Sequence, residues 1–474
     1  MYFEREKRSF FSEIGRKGSK LFLNKYFSLF IFCAACAVCV FEWEILGAVA
    51  FVSLICAALV FCDDILASAL PFLLMCVFVT KCYNSASTFI KYWWMAFPAI
   101  FALVFHFTVY RKRLSVGKSF WGLIAVAVAI SLGGVSWISG YEYFSATALY
   151  YTFFLGFGMV LLYLLLKSQL MAKRDYDVKE KLVELLYIMG LFTCFMVLLN
   201  VLPKTDFIGG LKITGEFQPS NNTCTFLMFA LPAPFFYVRR SRLHLISPFF
   251  MVACMILGGS RSAIAFGVAE LGICLIVSAL WDKKRRFLYI CLALSLVAAL
   301  AVFKSEIVEL LQGANMYPLV KDGEPRMRLI GRAFEMLKKN PVFGHGLGYR
   351  GNFDLYNPKS GAMGWYHMMI PQIVGSLGIV GIAAYLFQAT LHISIIAKAL
   401  KKAKNGGYAT VATLSLSYMG IFMMSQVNPG LFCPLPYGLM ATVIFAVMDG
   451  DDGLIPVFWI WDRLKKRNKN QKSH

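Results

Sequence analysis

The sequence predicts an all-α fold, a polytopic membrane bundle of about 12–14 transmembrane helices, and three observations carry that prediction. The chain of 474 residues is 59% hydrophobic. Its mean hydropathy is positive, and its apolar runs repeatedly reach the roughly 18 to 20 residues needed to cross a bilayer. Those runs continue almost to the C-terminus, so one membrane body replaces the two or three soluble domains that the length alone would suggest.

Taken in order, the spans fall near 26–41, 45–62, 65–80, 92–110, 119–138, 146–166, 182–201, 223–238, 244–258, 262–281 and 287–303, then 367–396, 408–426 and 431–448. The organisation is a basic N-terminus (1–25), eleven helices within 26–304, a largely polar segment at 305–366, three helices within 367–448, and a basic tail (449–474). Basic residues near short loops are retained on the cytoplasmic side. With the N-terminus cytoplasmic, the cytoplasmic segments hold 33 of the 47 Lys and Arg residues, and eight of the remaining 14 lie in 305–366. Both termini are therefore expected in the cytoplasm and segment 305–366 outside it, in the cytoplasmic (inner) membrane.

The N-terminal MYFEREKRSFFSEIGRKGSK is basic and lacks a small-residue cleavage site, so it reads as retained. The net charge of +21 collects in short loops and the tail WDRLKKRNKNQKSH, which points to topology and anionic lipid and away from nucleic acid. Thirteen cysteines fall almost wholly inside spans, where they act as small apolar side chains and imply no disulfide framework. The spacing of Cys33, Cys36 and Cys39 resembles a metal motif but lies within the first span. No internal repeat relates the two halves. Glu270 is the one carboxylate near the middle of a span, either an ion or proton ligand or half of a helix–helix pair. His106 and His392 read as hydrogen-bonded bundle histidines.

From Pro325 to Asn340 the apolar residues Ile330, Ala333, Phe334 and Leu337 recur at helical spacing, with Pro325 in the first turn and Pro341 ending the run. Arg328, Arg332, Glu335 and Lys339 share one face, read as solvated. Arg326 instead begins the row Arg326, Ile330, Ala333, Leu337. A guanidinium on that row needs an ion pair, with Glu324 or Glu270, or an anionic ligand, and the first helical turn favours the anion. Arg261 opens the tenth span and His367 the twelfth at the same membrane face. Two guanidiniums can neutralise a diphosphate leaving group without a metal, and an imidazole can accept a proton from an acceptor hydroxyl.

These residues resemble the O-antigen ligase and O-antigen polymerase superfamily over roughly residues 210–385. The resemblance is carried by RMRLIGRAFEMLKKNPVFGHGLG from Arg326, by HMMIPQIVGSLGIVG with His367, Gln372, Gly378 and Gly381, by GEFQPSNN (Gly215 to Asn222), and by SRS around Arg261. The chain departs from the family pattern at Met368, where Asn is usual, at Ser376, where Glu is usual, and at Ile330, where an aromatic is usual. The resemblance implies a GT-C-like membrane glycosyltransferase that moves a polyprenyl-diphosphate-linked glycan to a glycan or lipid-glycan acceptor, with inversion and without metal or other cofactor. The expected catalytic residues are His367, Arg326 and Arg261. Substrate binding is expected at Arg328, Arg332, Glu324, Gln372 and Asn222. The alternative is a polysaccharide or lipid-linked oligosaccharide transporter or flippase without glycosyl transfer, in which Glu270 would be indispensable.

Overall fold

The computed structural model describes residues 2–81, 93–110, 112, 114–137, 146–172, 174–201, 220–306, 319–347, 366, 368–403, 407–428, 430–431, 435–449 and 455–456. Its helices are α1 (Tyr2–Phe22), α2 (Lys25–Val40), α3 (Glu44–Phe61), α4 (Ala69–Lys81), α5 (Ala96–Val109), α6 (Lys118–Gly133), α7 (Ala146–Phe153), α8 (Met159–Leu170) and α9 (Val178–Val201). There follow α10 (Ser220–Ala230), α11 (Ala233–Tyr237), α12 (Ile246–Leu257), α13 (Arg261–Trp281), α14 (Arg286–Val302), α15 (Leu319–Lys339), α16 (Met369–Lys402), α17 (Gly407–Ser425) and α18 (Leu435–Met448). The chain is an all-α polytopic membrane protein. Its β-structure among the described residues is one antiparallel pair, β1 (Ser115–Val116) with β2 (Ile455–Pro456), in which Ser115 faces Pro456.

Every predicted span coincides with helix, yet only seven described helices are individually long and apolar enough to cross a membrane. Several apolar stretches are interrupted. The stretch at 223–238 breaks between α10 and α11, where Pro232 precedes the second piece and cannot donate to the first. The sixth bends where Phe154–Gly158 adopts π-helical turns around Gly156. α1 meets α2 at 63°. Such an angle suits a basic amphipathic helix lying along a surface before a span.

The core centres on α9, α10 and α11, where Phe192, Val197, Phe226, Phe229 and Phe235 are fully buried. Helix α14 has the opposite environment: Tyr289 is its one buried side chain, while Phe287, Leu294 and Val297 are exposed. An apolar face of that kind is stable against lipid.

At one end of the bundle three distant segments are locked together. Asp64 accepts from Arg174 NH2 at 2.8 Å and from Arg174 Nε and the Tyr176 hydroxyl. Its backbone N–H donates to Ser19 Oγ of α1 at 3.1 Å. Burial opposes ionisation of Asp64, but the Arg174 guanidinium, the Tyr176 hydroxyl and the Leu66 N–H together hold its carboxyl below the ordinary value.

Helix α15 corrects two expectations. It begins at Leu319, so Pro325 lies in its second turn instead of its first; the missing N–H removes a single helical hydrogen bond. Its buried face is Leu329, Ala333 and Met336, which pack with Tyr366, Met368 and Val374, with Ile330 and Leu337 at the margin. Phe334 is 52% exposed, because one residue beyond Ala333 the helix has already turned by about 100°.

Candidate functional site

The site is built from helix ends. Ser260 precedes α13 in extended conformation and its Oγ accepts from the Ala263 N–H at 3.3 Å, which caps the helix and sets Arg261 in its first position. The same hydroxyl donates to Asn221 Oδ1 at 2.6 Å, on the first turn of α10. Asn222 is drawn into the same corner: its side-chain oxygen accepts from Asn428 at 3.2 Å and its carbonyl from the Tyr437 hydroxyl at 2.6 Å. Gln426, just beyond α17, reaches Met369 Sδ at 4.0 Å. The starts of α10, α13 and α16 and the end of α17 therefore meet at one end of the bundle.

This corner suits an anion. The start of an α-helix carries partial positive charge and unsatisfied N–H groups, and Arg261 adds a half-buried guanidinium to that end. A cation there is disfavoured by the helix dipole by about 0.3–1 kcal/mol. A phosphate group would reverse the sign of that interaction.

A second element braces the corner. α16 is broken at Gly378, whose φ of 61° and ψ of −154° are non-helical. The segment after α15 fits into the break. Ile379 N–H donates to Pro341 O at 2.8 Å and Val380 N–H to Val342 O at 3.1 Å. His345 N–H and Gly346 N–H donate back to the carbonyls of Gly375 and Ser376 at 3.0 and 2.9 Å. A Cβ at Gly378 would lie 2.6 Å from Pro341 O, and one at Gly344 (φ 68°) would lie 2.4 Å from the Ser376 carbonyl carbon. Neither position admits a side chain. His345 is 2% exposed and receives the Asn340 amide at Nε2, 3.2 Å away. Its carbonyl accepts from Ser136 Oγ, which ties the turn after α6 to the same loop.

Of the expected residues, Arg261 and Asn222 are brought to the corner. Gln372 is fully buried; it accepts from the Tyr366 N–H at 2.9 Å and donates to Ser376 Oγ at 2.8 Å, so it positions the start of α16. Arg328 is exposed on α15 and Arg332 is half-buried, which divides the row read as uniformly solvated. Arg326 and Glu324 lie on α15 with side chains outside the described residues, as do His367 and Gly215 to Pro219 entirely. Arg326 occupies the positions three and seven residues before Leu329 and Ala333. Sequence reasoning missed Asn221, Asn428, Tyr437, Ser136 and His345. The run Ser220-Asn221-Asn222 opening a helix was the signal for the first, and His345 lies inside the quoted run from Arg326; Asn428, Tyr437 and Ser136 are distant in sequence from any motif and only the tertiary fold gathers them.

Among the described residues no three His, Cys, Asp or Glu side chains converge as a metal-ligand set. Residues 246–386, from α12 through the loop to the broken helix α16, match the family model described as O-antigen ligase. Over that stretch, under a third of its length, the chain is similar to the O-antigen ligase family. The matched stretch contains Arg261, the whole of α15 and the Gly344–Gly378 brace, while α10 and α17, which complete the corner, lie outside it. It begins later than the resemblance expected near residue 210, leaving Asn221 and Asn222 outside it. A comparison with curated proteins gives no match.

Proposed function

We propose that this protein is an extracytoplasmic glycosyltransferase of the O-antigen ligase type, in which the corner around Arg261 holds the diphosphate of a polyprenyl-diphosphate-linked glycan. The observation that carries the reading is a guanidinium at a capped helix start, inside the stretch that matches the family, where three other helix ends present polar groups. In this reading Arg261 and Arg326 stabilise the charge that develops as the bond between the sugar C1 and the phosphate oxygen breaks. The acceptor hydroxyl forms the new bond to C1 from the opposite side, so the anomeric centre inverts. Its proton passes to His367, and polyprenyl diphosphate leaves. In this reading Arg328, Arg332, Glu324 and Asn222 bind the substrate, and Gln372 sets the start of α16. The guanidinium groups supply the positive charge, so the transfer is metal-independent. This reading takes both termini as cytoplasmic and the corner as facing the outer side of the inner membrane, in line with the distribution of Lys and Arg.

The test is R261A, R326A and H367A expressed in cells, each checked for membrane insertion. Outward-facing lipid-linked glycan accumulates and polymer or ligated product is lost; normal product from all three overturns the reading. Activity of the purified wild type in excess chelator tests metal independence. Glycan chain length in cells lacking the protein separates a polymerase, whose loss leaves single attached repeats, from a ligase, whose loss leaves long chains on the lipid.

A further inference from the structure

Helices α13 and α17 pack antiparallel, and two contacts fix their register. Trp281 at the end of α13 meets Tyr408 near the start of α17, ring centroids 6.4 Å apart. Eleven residues earlier on α13, the Glu270 carboxyl lies against Gly420: a Cβ there would be 2.5 and 2.8 Å from the two carboxylate oxygens. Glu270 is fully buried, and neither oxygen has a hydrogen-bond partner among the described residues. From Arg261 it is nine residues along the helix, about 13 Å at 1.5 Å per residue.

Between these two contacts runs a row of hydroxyls. On α17, Thr410, Thr413 and Ser417 recur at three and four residues and continue to Gly420; on α13, Ser278 is eight residues from Glu270 and so on its face. All four are buried to 1% exposure or less, and none has a hydrogen-bond partner among the described residues. Neighbouring Ser415 and Ser425 behave differently, each donating to the carbonyl four residues back. Towards Arg261 the seam closes with Ile421 and Met424 of α17 and Ala263 and Ile264 of α13, all buried and apolar. The polar row therefore leads from Glu270 to the Trp281–Tyr408 end and not to the glycosyl-transfer corner.

A buried carboxylate costs several kcal/mol unless neutralised. The titratable side chains of the elements packed against α13 are Cys224 on α10, Cys254 on α12, Tyr289 and Cys291 on α14, Tyr408 and Tyr418 on α17, and Lys283, Lys284 and Arg285 of the short turn beyond its Trp281 end, more than a dozen residues from Glu270, with Cys274 on α13 itself. The cations of α13 and α14, Arg261 and Arg286, stand at helix ends, and Arg286 is bound to Ala279 O at 3.0 Å. Among the described residues no cation neutralises Glu270, which leaves a cation from solution. The row from Glu270 to Ser278 covers about 12 Å of helix, too long for the oxygen shell of one metal ion but suited to a file of waters between groups that both donate and accept.

We infer that Glu270 is a proton-exchange site inside the membrane body, reached from the Trp281–Tyr408 end through waters held by Ser278, Thr410, Thr413 and Ser417. It is separate from the glycan site and does not rest on the function proposed above. The test is infrared spectroscopy of the purified full-length protein in lipid, transferred from H2O to D2O. The carbonyl stretch of a protonated carboxyl is present in the wild type, absent in E270Q, and shifts promptly in D2O. T413V and S417A, which keep the volume near that of the native side chain, slow that shift severalfold without removing the band. Lack of an E270Q-sensitive band overturns the proposal. So does a band that exchanges equally fast in the hydroxyl variants, or one removed by sodium at constant pH, which would make the site an alkali-ion site. G420A serves as a second check, since its methyl group displaces the carboxyl and moves the band.

Discussion

Ser260 Oγ donates to Asn221 Oδ1 at 2.6 Å while accepting from the Ala263 N–H, so the cap of the helix bearing Arg261 is fixed by the start of α10. The geometry of Arg261 is thus set by a residue 39 positions before its cap in sequence. Losing an N-cap hydroxyl costs about 1 kcal/mol, a small share of total stability. S260A is therefore expected to insert normally and melt only slightly lower, yet to lose most glycan product, with N221A acting in the same direction. Product per inserted molecule, measured beside melting in detergent, separates the effects; full activity in S260A would remove the corner from the mechanism.

Arg332 and Arg328 make a second contrast on α15. Arg332 is half-buried and Arg328 exposed, although the spacing places them one turn apart on one face. An exposed arginine contributes little through surface pairing, about 0–1 kcal/mol. R332A should lower product yield at least severalfold, and R328A by much less. Equal losses in the two variants would show that exposure does not rank these arginines and that both bind substrate from solvent.

The helical architecture was legible in the sequence because apolar run length is itself the physical requirement for crossing a bilayer, and every predicted span coincides with helix. The interruptions were less so. Pro232 and Gly156 are visible as residues, but whether a proline or glycine breaks a helix depends on what neighbouring helices offer its freed backbone groups. The candidate site was partly legible: Arg261 stood out as a charge at a span end, while Asn428 and Tyr437 come to Asn222 from more than 200 residues away. Gln372 entered through the resemblance as a substrate contact; in the fold its amide is engaged by Tyr366 and Ser376, a pairing that no sequence motif indicates.

The Asp64–Arg174 pair predicts an acid sensitivity. Both side chains are under 10% exposed, and the carboxyl is held below the ordinary aspartate value of 3.8. A group whose pKa is lower in the folded state stabilises that state above the unfolded value and loses the contribution as pH falls through the folded value. Melting temperature should therefore hold through neutral pH and drop below about pH 4, with D64N removing this component of the drop. D64N also leaves Arg174 buried without its charge partner, a loss of about 3–5 kcal/mol. An acid profile unchanged in D64N, in protein that still folds, would assign the drop to other carboxyls.

Gly378 and Gly344 give the sharpest steric prediction. At Gly378 a side chain meets both a left-handed backbone, which costs an ordinary residue about 1–3 kcal/mol, and three backbone atoms between 2.6 and 2.7 Å from where its Cβ would be. Those atoms belong to Pro341, Val342 and Gly344, the loop that fills the break in α16, and backbone cannot step aside as a flexible side chain can. Gly331, on α15, has nothing within 4 Å of its Cβ position and is the control. G378A should therefore express poorly or melt well below wild type, G344A should do likewise, and G331A should melt at or slightly above wild type because alanine favours helix by about 0.8–1 kcal/mol. If G378A melts with the wild type, α16 is not held open by the loop, and the bracing of the corner must come from elsewhere.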